Sequence, residues 1–293
     1  MKITPLMKSE KEIMALINLL DDPSEDVFRM VEENLLQEGP EIIPALEEAW
    51  GTNTDKFYQE RLEDMIHQLQ FNSTAIDFTR WINEGATDIL KGVFFVARFQ
   101  FPDLSYTDVN SIIEHIKQDI WIELNDNLTA LEKVRILNHV IFRIHKFRDN
   151  ASNFYDPNNS YINKVLETKK GNPISLGVLY SSIALRLGLP IYGVNFPKNY
   201  ILAYKDSADL YETGDEDILF YINPFKGGAV LGRKEIDYFL EQHRIKPRKE
   251  FYIPCSNLDI TARILNNLVN AYKKGGNQKM VEKIQKIIRL MPS

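Results

Sequence analysis

Apolar residues recur at helical spacing through the first half of the chain. Ile13, Leu16, Ile17, Leu19 and Leu20 define one amphipathic face. Asp22-Pro23-Ser24-Glu25 then predicts a new start, with Asp22 as cap, Pro23 at the first position and Glu25 three residues after the cap. Val27, Phe28, Val31, Leu35 and Leu36 form the apolar face of that helix. Gly39-Pro40 ends it and opens a third helix carrying Ile42, Ile43, Leu46 and Trp50, and a fourth is expected over about 55–69. The pattern stays helical to about 148, with helices of about 106–118 and 130–145 after the turn Pro102-Asp103-Leu104. Beyond residue 190 the period changes to two. Residues 191–196, 200–204 and 218–222 read as strands, the first two on either side of Pro197-Lys198 and the third ended by Asn223-Pro224. Lys226-Gly227-Gly228 reads as a loop and 233–244 as a helix. Two last amphipathic helices, about 257–274 and 277–290, meet at Gly275-Gly276.

Composition narrows the class. The chain has 293 residues, 44% hydrophobic and 26% charged, so a sizeable core is expected. Its 35 basic and 41 acidic residues leave a net charge of -6, which disfavours a nucleic-acid partner. Cys255 stands alone, so no internal disulfide and no cysteine-based zinc site is expected, and a reducing interior is the natural compartment. The early run ALINLL is too short for a signal-peptide core and ends in two aspartates, and no segment approaches the length of a membrane span. A soluble cytoplasmic protein without membrane association is the expectation. His139 and His145 are six apart and do not share a helix face as a metal pair would. Asp206, Asp209, Asp215, Glu216 and Asp217 lack calcium-loop spacing and read as a solvated loop. No metal and no cofactor is expected.

The stretch KGNPISLGVLYSSIALRLGLP carries the most chemistry. Asn172 is a good N-cap and Pro173 a good first residue, which places Ser175 in the first turn. Leu176, Val178, Leu179, Ile183, Ala184 and Leu187 follow with one charge, Arg186, before Gly188 and Pro190. A helix so apolar is buried. A polar group in its first turn lies near unpaired backbone N–H groups and the positive end of the helix dipole. Such a place lowers a thiol pKa or stabilises an oxyanion.

NPISLGVLYSSIALRLGLPIYGVNFPKNYILAY, with YINPFKGG downstream, resembles the transglutaminase-like superfamily, and within it the bacterial SirB-type group. FRDNASNFYDPNNSYINKVL looks like the same group's upstream segment, and RILNNLVNAYKKGGN like its C-terminal helical hairpin. The first 70 residues lie outside this likeness; their paired helices with Pro-marked turns resemble HEAT repeats, and the last pair resembles a tetratricopeptide hairpin. The resemblance implies an α+β, mostly helical protein. Its papain-like core would hold a small antiparallel sheet and be flanked by helical repeat-like segments. The expected organisation is 1–70, a HEAT-like segment; 71–250, a transglutaminase-like domain with a helical lead-in over 71–150 and a core over 151–250; and 251–293, the hairpin.

Active members of that superfamily use Cys, His and Asp in that order, on the helix start and two following strands. The matching positions here are Ser175, Asn199 and Asn223. A serine hydroxyl is a weak nucleophile without an adjacent base, and an asparagine cannot take and return a proton near neutral pH. Lys198 is adjacent, but on an alternating strand it would face away from Asn199. The resemblance therefore implies a non-catalytic binding, scaffold or regulatory module for a peptide or protein partner. Ser175, Asn199, Asn223 and Asn172 are the candidate cleft residues. The alternative is a Ser175-dependent amide or ester hydrolase or acyl transferase whose base comes from His139, His145 or His243. Cys255 reads as an inert packed thiol, and Asp156, Asn158 and Asn159 as turn residues first and cleft-rim residues second.

Overall fold

The computed structural model describes residues 8–206 and 217–292. The part of the acidic excursion that holds Asp209, Asp215 and Glu216 lies outside them. The chain divides into two compact units, Met1–Asp77 and Phe78–Ser293.

The first unit is helical: α1 (Glu10–Asn18), α2 (Glu25–Glu38), α3 (Ile43–Thr52) and the greater part of α4 (Lys56–Asn83). Its core gathers Ile17, Leu20, Val31, Leu35, Leu46 and Leu62, the residues that recur at helical spacing. Polar links add to it. The Tyr58 hydroxyl donates to the Ile17 carbonyl at 2.9 Å, and Arg61 donates to the carbonyls of Leu20 and Asp22 while lying over the rings of Phe28 and Phe57. The N-cap position of α2 belongs to Ser24 rather than Asp22; the Asp22 carboxylate accepts from the Ser24 N–H at 2.8 Å, a local turn that moves the helix start by two residues.

The second unit continues with α5 (Ile89–Arg98), α6 (Tyr106–Trp121) and α7 (Ala130–Asn138). The single helix expected over 130–145 is α only to Asn138. A π turn over His139–Ile144 widens it, and left-handed Lys146 ends it. A short parallel pair, β1 (Arg148–Asp149) with β2 (Lys170–Gly171), brackets α8 (Ile162–Thr168). Helix α9 (Pro173–Arg186) is the centre of the unit, with every residue from Ile174 to Ala184 buried. Beside it lies an antiparallel sheet in the order β3 (Ile191–Val194), β4 (Ile201–Lys205), β5 (Ile218–Asn223), β6 (Ala229–Leu231). In the register, Gly193 faces Leu202 and Tyr204 faces Phe220, with a bulge between Tyr204 and Lys205. The loop expected at 226–228 is the tight turn between β5 and β6, where Gly227 and Gly228 take positive φ. Asn138 sits against that turn. Its amide donates to the Gly228 carbonyl at 2.8 Å and its oxygen accepts from the Tyr180 hydroxyl, so α7, α9 and the sheet are tied at one point.

Helix α10 (Arg233–Gln242) covers the sheet through Ile236 and Leu240. The C-terminal pair α11 (Asn257–Lys274) and α12 (Gln278–Ile288), read from sequence as a segment of its own, packs within the second unit, where α11 lies against α5 and α9. The chain is thus mostly helical with small sheets, an α+β arrangement.

Candidate functional site

The start of α9 is fixed by its own sequence. Asn172 caps it with extended backbone, and its side-chain oxygen accepts from the Ser175 N–H at 3.0 Å. The Ser175 hydroxyl returns the bond, accepting from the Asn172 N–H at 3.0 Å and donating to the Asn172 carbonyl at 3.2 Å. This reciprocal cap satisfies the exposed end of a buried helix. The chain before it packs tightly: a Cβ on Gly171 would lie 2.6 Å from the Ser175 oxygen. The Asn172 amide donates to the Ser160 hydroxyl at 2.9 Å, which joins the cap to the segment before α8. Ser175 is only 3% exposed, and both its hydroxyl bonds stay within the cap.

A cavity of about 250 Å³ opens against this helix start. One wall is the loop of Phe154, Tyr155 and Asp156. Another is the β3–β4 turn of Lys198, Asn199 and Tyr200, and the third is α11 with Arg263, Asn267 and Asn270. Asn172, Pro173 and Ile174 form the floor. Asp156 is both a turn residue and a rim residue. Its carboxylate accepts from the Asn158 N–H at 2.9 Å and the Asn153 amide at 3.1 Å.

Of the four candidates, Asn172 and Asn199 line this cavity. Ser175 lies one hydrogen bond behind Asn172, outside the lining. Asn223 ends β5, 8% exposed and also outside the lining. Its side-chain oxygen has no hydrogen-bond partner, and its carbonyl accepts from the Gly228 N–H at 3.0 Å. The period-two argument about Lys198 does not apply, because β4 starts only at Ile201. Lys198 and Asn199 belong to a turn with Lys198 at φ +60°, and both face the cavity.

The histidines are engaged elsewhere. His145 meets the Asp119 carboxylate at 2.7 Å beside His115, His243 contacts the Phe239 carbonyl and stacks on the Phe239 ring, and His139 is exposed. Among the described residues no cluster of His, Cys, Asp and Glu is placed to hold a metal ion. Cys255 bonds the Gly193 carbonyl at 3.3 Å, and burial, followed by the nearby Asp259 charge, pushes its thiol up to about 12.

Arg263 was not among the sequence candidates, yet it shapes the site. It donates to the side-chain oxygen of Asn195, to the Phe196 carbonyl at 3.0 Å and to the Asn199 carbonyl at 2.6 Å. It therefore clamps the turn, and it also lines a second, larger cavity of about 550 Å³ beside Cys255 and Asp259. Burial holds its guanidinium below the ordinary arginine range. Tyr200, 1% exposed, anchors the same turn from inside, between Gly177 of α9 and Gly193 of β3.

A capped central helix, a following antiparallel sheet and a cleft between them form the setting the resemblance implies. Residues 107–266, more than half of the chain, match the family model described as the transglutaminase-like superfamily, and the chain belongs to that superfamily. A UPF0162 protein of Xylella fastidiosa (strain 9a5c) is 25% identical over 224 residues, covering 72% of this chain and 75% of that protein. F-box only protein 21 of Mus musculus is 31% identical over 273 residues, covering 83% of this chain but 42% of the longer mouse protein. The human protein of the same name is 32% identical over 140 residues, 48% of this chain and 22% of that one. No solved structure matches the chain significantly. Among the described residues no helix is long and apolar enough to cross a membrane.

Proposed function

We propose that the chain is a non-catalytic transglutaminase-like module that binds a peptide or protein partner in the cleft at the start of α9, in the cytoplasm. The observation that carries this reading is the state of Ser175. Its hydroxyl is committed to the cap on both sides, and no imidazole bonds to it. General-base activation of a hydroxyl needs a base within hydrogen-bond reach. The cavity chemistry supports binding: Asn199, Asn267 and Asn270 carry carboxamides that can both donate to and accept from peptide groups, and Tyr155 and Phe154 add aromatic surface. Similarity to an F-box only protein favours a protein partner over a small metabolite, and a single cysteine fits a reducing compartment.

Two measurements test it. Purified protein is expected to hydrolyse p-nitrophenyl acetate and an activated anilide no faster than its Ser175→Ala variant; turnover that disappears with that substitution would sink the reading. Peptides selected from an array are expected to shift the side-chain amide resonances of Asn267 and Asn270, and binding that leaves those resonances unmoved would place the partner elsewhere.

A further inference from the structure

Arg263 is partly buried and forms no ion pair among the described residues; Asp259, which shares its second cavity, accepts from the Ser256 N–H and hydroxyl instead. Buried cations are ordinarily paired, because removing a charge from water is costly without a counter-charge. All three of its acceptors are neutral oxygens, and all three belong to the β3–β4 turn. A guanidinium carries five N–H groups in a planar fork, so donor capacity remains beyond the turn. The same side chain lines the cavity at the start of α9.

The other charges at that cavity are mostly positive. Lys198 projects from its left-handed position and forms no ion pair among the described residues, and the Lys274 ammonium, outside the lining, lies 3.0 Å from the centre of the Tyr155 ring that forms one wall. The one acid on the lining, Asp156, already accepts two bonds from its own loop. The surrounding charge points the same way. Residues 78–293 carry 29 basic against 24 acidic side chains, whereas residues 1–77 carry 6 against 17. The overall negative charge of the chain therefore hides a second unit that attracts anions.

Resting on the reading of this cleft as a peptide site, we propose that it selects a carboxylate-bearing peptide, with the carboxylate held by Arg263 and Lys198 and the adjoining peptide groups by the carboxamides of Asn267 and Asn270. The carboxylate is the shared chemistry of a peptide C-terminus and an aspartate or glutamate side chain. A cavity of about 250 Å³ has room for one or two residues, not for a folded surface.

The test uses the full chain and three forms of one N-acetylated peptide library: free acid, C-terminal amide, and C-terminal amide with one internal glutamate. Binding is read by calorimetry and by the Asn267 and Asn270 side-chain resonances. At least one carboxylate-bearing form is expected to bind about tenfold or more tightly than the neutral amide, as loss of a charge-assisted bond implies. The preference should weaken as salt rises. Which of the two forms binds identifies the source of the carboxylate. Lys198→Glu, at an exposed position where folding is not at stake, should erase the preference for the carboxylate-bearing forms over the neutral amide. Equal affinity for all three forms at these resonances would overturn the carboxylate proposal and leave the peptide reading standing. A preference that survives Lys198→Glu and Arg263→Lys alike would also overturn it. Failure of every form to bind would overturn both.

Discussion

Tyr200 offers a sharp test of how the cleft is held. Its ring lies between two glycines: a Cβ on Gly177 would sit 2.4 Å from its Cε1 atom, and a Cβ on Gly193 would sit 1.8 Å from its hydroxyl oxygen. The hydroxyl is buried and has no hydrogen-bond partner. An unpaired buried polar group costs about 1–3 kcal/mol. Tyr200→Phe removes that cost and leaves a void of roughly 10 Å³, worth about 0.2–0.3 kcal/mol at ~24 cal/mol per Å³. The variant should therefore be more stable than the parent by about 1 kcal/mol or more. Gly193→Ala should destabilise by about 1–3 kcal/mol through overpacking, and only part of this should vanish in the Tyr200→Phe background, because the 1.8 Å contact is with the lost oxygen while the ring Cζ at 2.7 Å remains. Gly177→Ala should show no such rescue, since it strikes ring carbons that phenylalanine keeps. Urea titration of the single and double variants measures the cycle. Destabilisation by Tyr200→Phe of more than about 1 kcal/mol would mean that the hydroxyl has a partner. Equal rescue of both glycine variants would refute the wedge itself.

Further outcomes follow from other parts of the molecule. Leu179→Ala should cost about 2–5 kcal/mol, because the side chain is fully buried in α9 and leaves a cavity. Ser175→Ala should cost only about 1 kcal/mol, since the Asn172 N–H also reaches the Asn159 carbonyl at 3.4 Å; chemical denaturation of both variants ranks them. The Cys255 thiol, raised to about 12 against an unfolded value of about 8.5, holds its proton more tightly in the native state. Its linked stability is therefore full below the unfolded value and is lost as pH rises from there, and iodoacetamide at pH 9 should label the native protein far more slowly than the urea-unfolded chain. Glu38 is held below the usual carboxylate range chiefly by its bond to the Lys8 ammonium. Its contribution is present above the unfolded carboxylate value and lost as pH falls, so the Tm gap between the parent and Glu38→Gln should close between pH 6 and pH 3.

Much of the helix that floors the cleft was legible, because its signals are local. Asn172-Pro173 states a helix start, and the unbroken apolar run behind it states burial. β3, β4 and β5 were legible to within a residue or two, for β-branched and aromatic residues cluster between turn residues, whereas the two- and three-residue strands β1, β2 and β6 are too short to show a period. Turning Lys198 away from Asn199 by alternation borrowed strand geometry for residues that the strand ranges themselves left in the connection, and both belong to the β3–β4 turn. Arg263, Asn267 and Asn270 were invisible for a different reason. Their spacing of four and three places them on one polar helical face, which from sequence alone is indistinguishable from a solvated one. Only the packing of α11 beside α9 turns that face toward a cavity.

The two-residue bridge between β1 and β2 has a consequence for how the molecule would survive damage. It ties together the feet of a segment whose exposed tip, Ala151 to Tyr155, supplies one wall of the cleft. On either side of that tip the chain is anchored independently, by the bridge before it and by buried Ile162, Val165 and Leu166 of α8 after it. A protease cutting at the tip would thus yield two fragments that stay associated and migrate as one species until denatured. Cleavage there would loosen a binding wall while sparing the core, which makes a nicked preparation a natural way to separate recognition from folding.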